Sequence, residues 1–194
     1  MAAPEEILAY PLNVYLADVG TAFPSVAAAP GGSWTLLGTS GDLNYDDAGV
    51  VVSHAETVFD FTPAGSTMPS KRFRTGESLL TKLNLVDLSP ETYAMAMNDA
   101  SVTTVAGGGG SHGEKHFDLF RGDSVASFAV LLRGPSPADN TLNMQYEIPK
   151  AFVSVNGDVT FNKGVVASLP IEIQMIRHSS ADDPVCRIQT SAGT

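Results

Sequence analysis

The chain has 194 residues, 43% of them apolar and 16% charged, with 18 glycines and 12 prolines. That length supports one domain whose core needs no staple, and the sparse charge predicts strands and turns rather than a helical bundle. A net charge of −10 disfavours ordinary nucleic-acid and anionic-membrane binding, and a single cysteine, Cys186, excludes an internal disulfide or a cysteine metal cluster.

Residues 1–32 are rich in Ala and Pro and read as an arm or linker with one strand at Leu12–Ala17. Met1–Leu16 carries two acids and no basic start, so no signal peptide is expected, and no run approaches the apolar length of a membrane span. Short strands are predicted at Trp34–Thr39 and Leu43–Tyr45, split by a Gly41-Asp42 turn. Asp46-Asp47-Ala48-Gly49 reads as a second turn, before a long strand at Val50–Phe61. Thr62–Gly76 then breaks the pattern with Pro63, Gly65, Pro69 and Gly76. It reads as a long loop or extended hairpin and holds the densest basic cluster, Lys71, Arg72 and Arg74 around Phe73. Connections of that length usually carry function or disorder.

Glu77–Leu88 alternates as a strand. A helix is predicted over 90–98, with Ser89 as N-cap, Pro90 at the first position, Glu91 in the first turn, and Tyr93 and Met97 on one stripe. Ser101–Val105 is a short strand, and Gly107–Ser111 a flexible loop. Lys115–Phe120 and Ser124–Arg133 are expected to pair around Gly122-Asp123. Asn143–Val155 and Asp158–Asn162 are expected to form a hairpin around Asn156-Gly157. Val165–Arg177 is the final long strand, and Ser179–Thr194 reads as an exposed or extended tail. The expected fold is mainly β: an antiparallel β-sandwich or partly open barrel with one short flanking α-helix, a long loop and extended terminal arms. Unblunted strand edges would be a hazard in a monomer, but in a polymer they become the means of assembly.

Few residues suggest chemistry. His112, Glu114 and His116 alternate and could offer three metal ligands, but they adjoin the glycine loop and lack His-Glu-x-x-His spacing, so a solvated loop is expected. Gly108–Gly113 has the spacing of a phosphate loop, yet Glu114 stands where the lysine is needed. The adjacent pairs Glu5-Glu6, Asp46-Asp47 and Asp182-Asp183 cannot span a cleft. Arg121-Gly122-Asp123 reads as a plain turn, and Cys186 as a structural or incidental thiol. The reading is therefore not an enzyme, with no catalytic, cofactor-binding or metal residues. The Lys71, Arg72, Phe73, Arg74 cluster admits a solvated loop, a nucleic-acid contact, or a contact onto the acidic surface of a neighbouring copy, and the last is preferred.

The order of features resembles a known family. Trp34-Thr35-Leu36-Leu37-Gly38 is followed by Gly41-Asp42-Leu43, the Val50–Phe61 strand and a long segment ending Arg74-Thr75-Gly76-Glu77. Leu85-Val86-Asp87-Leu88-Ser89-Pro90-Glu91-Thr92 leads into the helix. Leu131-Leu132-Arg133-Gly134-Pro135, Gln145-Tyr146-Glu147-Ile148-Pro149 and Leu169-Pro170-Ile171-Glu172-Ile173 close the series. Across residues 33–177 this is similar to the tail tube proteins of long-tailed bacteriophages (siphophages) and of gene-transfer particles. The resemblance implies a tail-tube-like β domain at 33–177, an N-terminal arm at 1–32 and a C-terminal tail at 178–194. It implies hexameric rings stacked into a hollow acidic tube that delivers DNA without binding it, in a virion tail assembled in the host bacterial cytoplasm. Itself, a tape measure protein, a tail terminator and baseplate proteins would be partners. Another component of the tube fold (terminator, baseplate or secretion-system tube) and a carbohydrate-binding β-sandwich remain alternatives.

Overall fold

A computed structural model describes residues 12–39, 43–97, 101–110, 112–119, 123–137, 141–178 and 185–191. Strand β1 (Asn13–Asp18) is followed by β2 (Thr35–Leu36), β3 (Tyr45–Phe61), β4 (Lys71–Leu85) and helix α1 (Pro90–Ala96). A small ribbon comes next, β5 (Thr103–Val105) with β6 (Glu114–His116). Then come β7 (Ser127–Pro135), β8 (Asn143–Val155), β9 (Leu169–Met175) and β10 (Arg187–Thr190). The main sheet is antiparallel, in the order β2-β1-β7-β8-β9-β4-β3, with β10 on β8 beside that path. It is mainly β and sandwich-like, and the sheet does not close into a barrel. Among the described residues no helix is long and apolar enough to cross a membrane.

The core explains the bend of the sheet. Val14 and Leu16 of β1 share one buried cluster with Val130, Leu132, Ile148, Ile171, Ile173, Leu83 and Leu85. Strands β1 and β4 are separated in the sheet by β7, β8 and β9, so the two halves must fold towards each other to bury these side chains together. Tyr45 fastens the halves: the Val14 N–H donates to its hydroxyl at 3.1 Å, and the hydroxyl donates to the Leu37 carbonyl at 3.3 Å. Strand β7 is buried along nearly its whole length, which its Phe128-Ala129-Val130-Leu131-Leu132 run anticipates.

The second face of β1, β7 and β8 is covered from the connection between β1 and β2. Trp34 and Phe23 pack there with Ala17, Ala129 and Leu131, and the Trp34 indole N–H donates to the Ala22 carbonyl at 3.1 Å. Beside them lies a buried polar chain. Arg133 donates to the Val26 carbonyl at 2.8 Å and to Gln145 Oε1 at 3.0 Å. Gln145 Nε2 donates to the Pro24 carbonyl and to Glu147 Oε1, both at 2.8 Å. Burial pushes the Arg133 guanidinium below its ordinary pKa, an effect its hydrogen bonds to neutral carbonyls tolerate.

Several sequence expectations change. The Leu12–Ala17 strand lies inside the sheet between β2 and β7, so residues 13–36 belong to the β domain and not to an arm. Trp34–Thr39 contracts to Thr35–Leu36, and Leu43 precedes β3 as part of a helical turn. Asp46–Gly49 is a bulge within β3, since Tyr45 faces Leu85 and Val50 already faces Leu83. Asp46 holds the bulge by accepting from Ala48 N and Asn84 Nδ2. Glu114–His116 pairs back to β5, whereas β7 pairs with β1 and β8, so the expected hairpin of 115–120 with 124–133 does not form. Strand β8 pairs with β9 and not with 158–162, which is not a strand. Within the tail, Arg187–Thr190 is extended and largely exposed, and it pairs with β8 as β10. The helix forms as Pro90–Ala96, and Ser89 Oγ accepts from Thr92 N at 3.2 Å; Asn98 lies outside the described residues.

Candidate functional site

Strands β3 and β4 run far beyond the sheet. Strand β9 accompanies β4 only from Leu85 to Leu80, where Leu80 faces Gln174. From Ala55 opposite Ser78 to Phe61 opposite Lys71, the two strands pair, among the described residues, with each other alone. This arm is about 20 Å long at the usual strand rise. The turn that closes it, Thr62–Ser70, is held by Ser70 N donating to the Phe61 carbonyl at 2.9 Å and Ser66 N to Pro63 at 3.0 Å. A bulge lies halfway: Thr57 faces Gly76 and Val58 faces Arg74, leaving Thr75 extra, with its hydroxyl on the Thr57 carbonyl. A bulge of this kind twists and bends a ribbon.

The alternation of side chains gives the arm two unlike faces. One face is ionic: Arg72 forks onto Asp60 with Nε–Oδ1 at 2.6 Å and Nη2–Oδ2 at 2.8 Å, and Arg74 Nε meets Glu56 at 2.9 Å. The hydrogen bond from Arg72 lowers the Asp60 pKa, and the same contact raises that of Arg72. The other face is aromatic. Phe59 lies directly opposite Phe73, Phe61 opposite Lys71, and the Lys71 ammonium sits 4.9 Å above the Phe73 ring. Phe59, Phe61 and Phe73 are 56%, 49% and 44% exposed.

All four residues singled out in the sequence, Lys71, Arg72, Phe73 and Arg74, therefore come together at the tip end of β4, in a strand rather than a loop. Their chemistry divides. Arg72 and Arg74 are already neutralised by carboxylates of β3, so they offer a neighbour little net charge. Phe73 and Lys71 face outward with Phe59 and Phe61, two residues that sequence reasoning did not assign to the site. The i, i+2 aromatic spacing of Phe59 and Phe61 was the available signal, but it acquires meaning only once the turn is placed at 62–70.

The other candidates are scattered. His112, Glu114 and His116 are exposed near the β5–β6 ribbon, and among the described residues no group of three His, Cys, Asp or Glu side chains could hold a metal ion. That ribbon is pinned to α1 by the Lys115–Glu91 ion pair and by Tyr93 against Phe117 at 5.8 Å. Asp46 and Asp47 belong to the β3 bulge, while Glu5-Glu6, Asp182-Asp183 and the Arg121-Gly122 dipeptide lie outside the described residues. A groove of about 370 Å³ separates the arm's base from β10, lined by His54, Glu56, Arg74, Leu79, Met175 and Cys186. A scan against protein-family models finds no match to this chain, and a search of the curated proteins finds none either.

Proposed function

We propose that the chain is a structural subunit that works by self-association, forming the tail tube of a long-tailed bacteriophage or related particle. The carrying observation is the β3–β4 arm, which stands clear of its own sheet with three exposed phenylalanines on one face. The outer edge of β3, which no other strand among the described residues covers, supports the same reading, because an edge of this length invites another strand. The aromatic face exposes on the order of 300 Å², well short of the roughly 800 Å² per partner of a stable interface. One such contact would be weak, and many repeated around a ring and along a stack would hold. In this reading the arm bridges to a neighbouring copy, and the net charge of −10 lines a conduit through which DNA phosphates slide without adhering.

The distribution of charge revises how the copies would meet. With Arg72 and Arg74 paired internally, attraction between a basic loop and an acidic body is a small term, and apolar docking must overcome mutual repulsion of acidic subunits. Raising the ionic strength is therefore expected to promote rings or tubes in negative-stain images and larger species by light scattering. Assembly that dissolves in salt would favour ionic docking instead. Small monodisperse particles at every salt and protein concentration would reject the tube.

A further inference from the structure

Asn156-Gly157 is the only Asn-Gly pair in the chain, and the fold does not use it for the tight hairpin such a pair usually makes. It stands where β8 leaves the sheet, just after Val155 pairs with Ile171 of β9. Asn156 and Gly157 are both exposed, and among the described residues the Gly157 N–H has no hydrogen-bond acceptor. Glycine is required at this position: its φ is 150°, and an added Cβ would lie 2.7 Å from the Pro170 ring. The backbone nitrogen that follows Asn156 is therefore open to water and shielded by no side chain of its own.

The Asn156 carboxamide is tied to the neighbouring strand. Its Nδ2 donates to Glu172 Oε2 at 3.1 Å. Glu172 is a firm anchor, because its side chain is only 20% exposed and its other oxygen takes the Lys82 ammonium at 2.8 Å. The hydrogen bonds from Lys82 and Asn156 hold the Glu172 carboxyl below its ordinary range, so it is ionised near neutrality. This tether draws the carboxamide towards β9, whereas the Gly157 nitrogen lies along its own chain.

We infer that Asn156 is a self-modifying site, which deamidates through the Gly157 nitrogen at a pace that Glu172 restrains. The reactants are the chain and water. Gly157 N gives its proton to hydroxide and attacks Asn156 Cγ. The N–Cγ bond forms, the Cγ–Nδ2 bond breaks, and ammonia leaves with a proton from water. Water then opens the cyclic imide. Addition at Cγ gives aspartate, and addition at the backbone carbonyl carbon gives isoaspartate, with the main chain routed through Cβ. No oxidant or reductant is needed. Either product replaces a donor to Glu172 with a carboxylate, so a hydrogen bond becomes a like-charge contact and the end of the β8–β9 ladder loosens. The chemistry needs no second copy and is independent of the tube reading.

The test incubates the full chain at mildly alkaline pH, folded in buffer and unfolded in guanidinium chloride, with Glu172→Ala, Lys82→Met and Asn156→Gln beside the parent. Conversion is read by ion exchange as a more acidic species, by peptide mapping across 156–157, and by enzymatic methylation of isoaspartate. The folded parent is expected to convert at this pair, about fivefold more slowly than folded Glu172→Ala, as a partly exposed hydrogen bond to a charge gives. Lys82→Met frees Glu172 from its cation without removing the tether and is expected to match the parent. Asn156→Gln is expected to give no acidic species. A folded parent that stays unmodified while the unfolded chain converts overturns the site, as does an acidic species that persists in Asn156→Gln. Glu172→Ala converting at the parent's rate, or Lys82→Met converting as fast as Glu172→Ala, overturns the restraint. Should Glu172→Ala fold poorly, Glu172→Thr, a better strand former whose side chain is too short for the tether, takes its place.

Discussion

At the base of the β3–β4 ribbon, Leu79, Thr81, Leu83 and Leu85 are 0–4% exposed, whereas at its tip Phe59, Phe61 and Phe73 are 44–56% exposed. The same two strands, in one continuous antiparallel ladder, thus pass from the core to solvent. The base is covered because β9 supplies a third strand and the other half of the sheet supplies a facing layer. The tip has neither, and its own ion pairs satisfy one face while leaving the other apolar. Hydrophobic side chains at the base are consumed in folding. Those at the tip remain available for a partner, and this division is what mutations can break or sharpen.

The largest effect belongs to the core. Ile148→Ala removes a fully buried side chain and is expected to lower the unfolding free energy by about 2–5 kcal/mol, read from denaturant curves. A smaller loss is expected at the polar chain on the second face. Arg133→Met deprives the Val26 carbonyl and Gln145 Oε1 of their donor and is expected to cost about 1–3 kcal/mol. It also frees the 19–34 connection, which protease cutting near Pro24–Val26 would report.

A third, gentler test uses pH. The hydrogen bond from the Thr39 hydroxyl, aided by backbone donors of Thr39 and Ser89, holds the Asp87 carboxyl below its ordinary value of 3.8. A depressed folded-state pKa contributes stability that is present above the unfolded value and is lost as pH falls through the folded one. Asp87→Asn is therefore expected to flatten the decline in stability below about pH 4, while leaving the slope near neutrality unchanged. Cys186 behaves in the opposite sense: burial, with Glu147 nearby, pushes its thiol up to about 11. Its reaction with a maleimide near neutral pH is expected to be about a hundredfold slower than that of an ordinary thiol, and to recover when β10 is released.

What the sequence disclosed follows the range of the interactions involved. The helix was legible because Ser89, Pro90 and Glu91 act within one turn. Strand β8 was legible within its own alternation, but its partner was not. Asn156-Gly157 signals a tight hairpin, yet Gly157 serves another need: at φ 150° it lies against Pro170, whose ring carbon would sit 2.7 Å from any added Cβ. The glycine permits β8 and the start of β9 to approach across a longer excursion. One neighbour of β7 is β8, the next strand in the chain, but the other is β1, from the opposite end of the sequence, and no local pattern encodes that pairing. At the candidate site, the Lys71–Arg74 cluster was visible as composition. Its internal neutralisation depends on the register that sets Arg72 opposite Asp60, and register is a property of two strands together.

The smallest expected change in stability is also the most informative about assembly. Phe59→Ser with Phe73→Ser removes one cross-strand aromatic pair whose rings are about half in water already. Such a pair contributes roughly 0.2–1 kcal/mol, so the unfolding midpoint should scarcely move beside that of Ile148→Ala. If the tip face is a docking surface, the same double substitution abolishes higher-order species at concentrations where the parent chain forms them. If the tip merely shields the ribbon, stability falls and assembly persists. The ratio of the two effects is therefore decisive: a core residue trades the same apolar area for folding alone, and a docking residue trades it for association alone. A variant that lost both in proportion would show that the arm folds as part of the core, contrary to its solvent exposure.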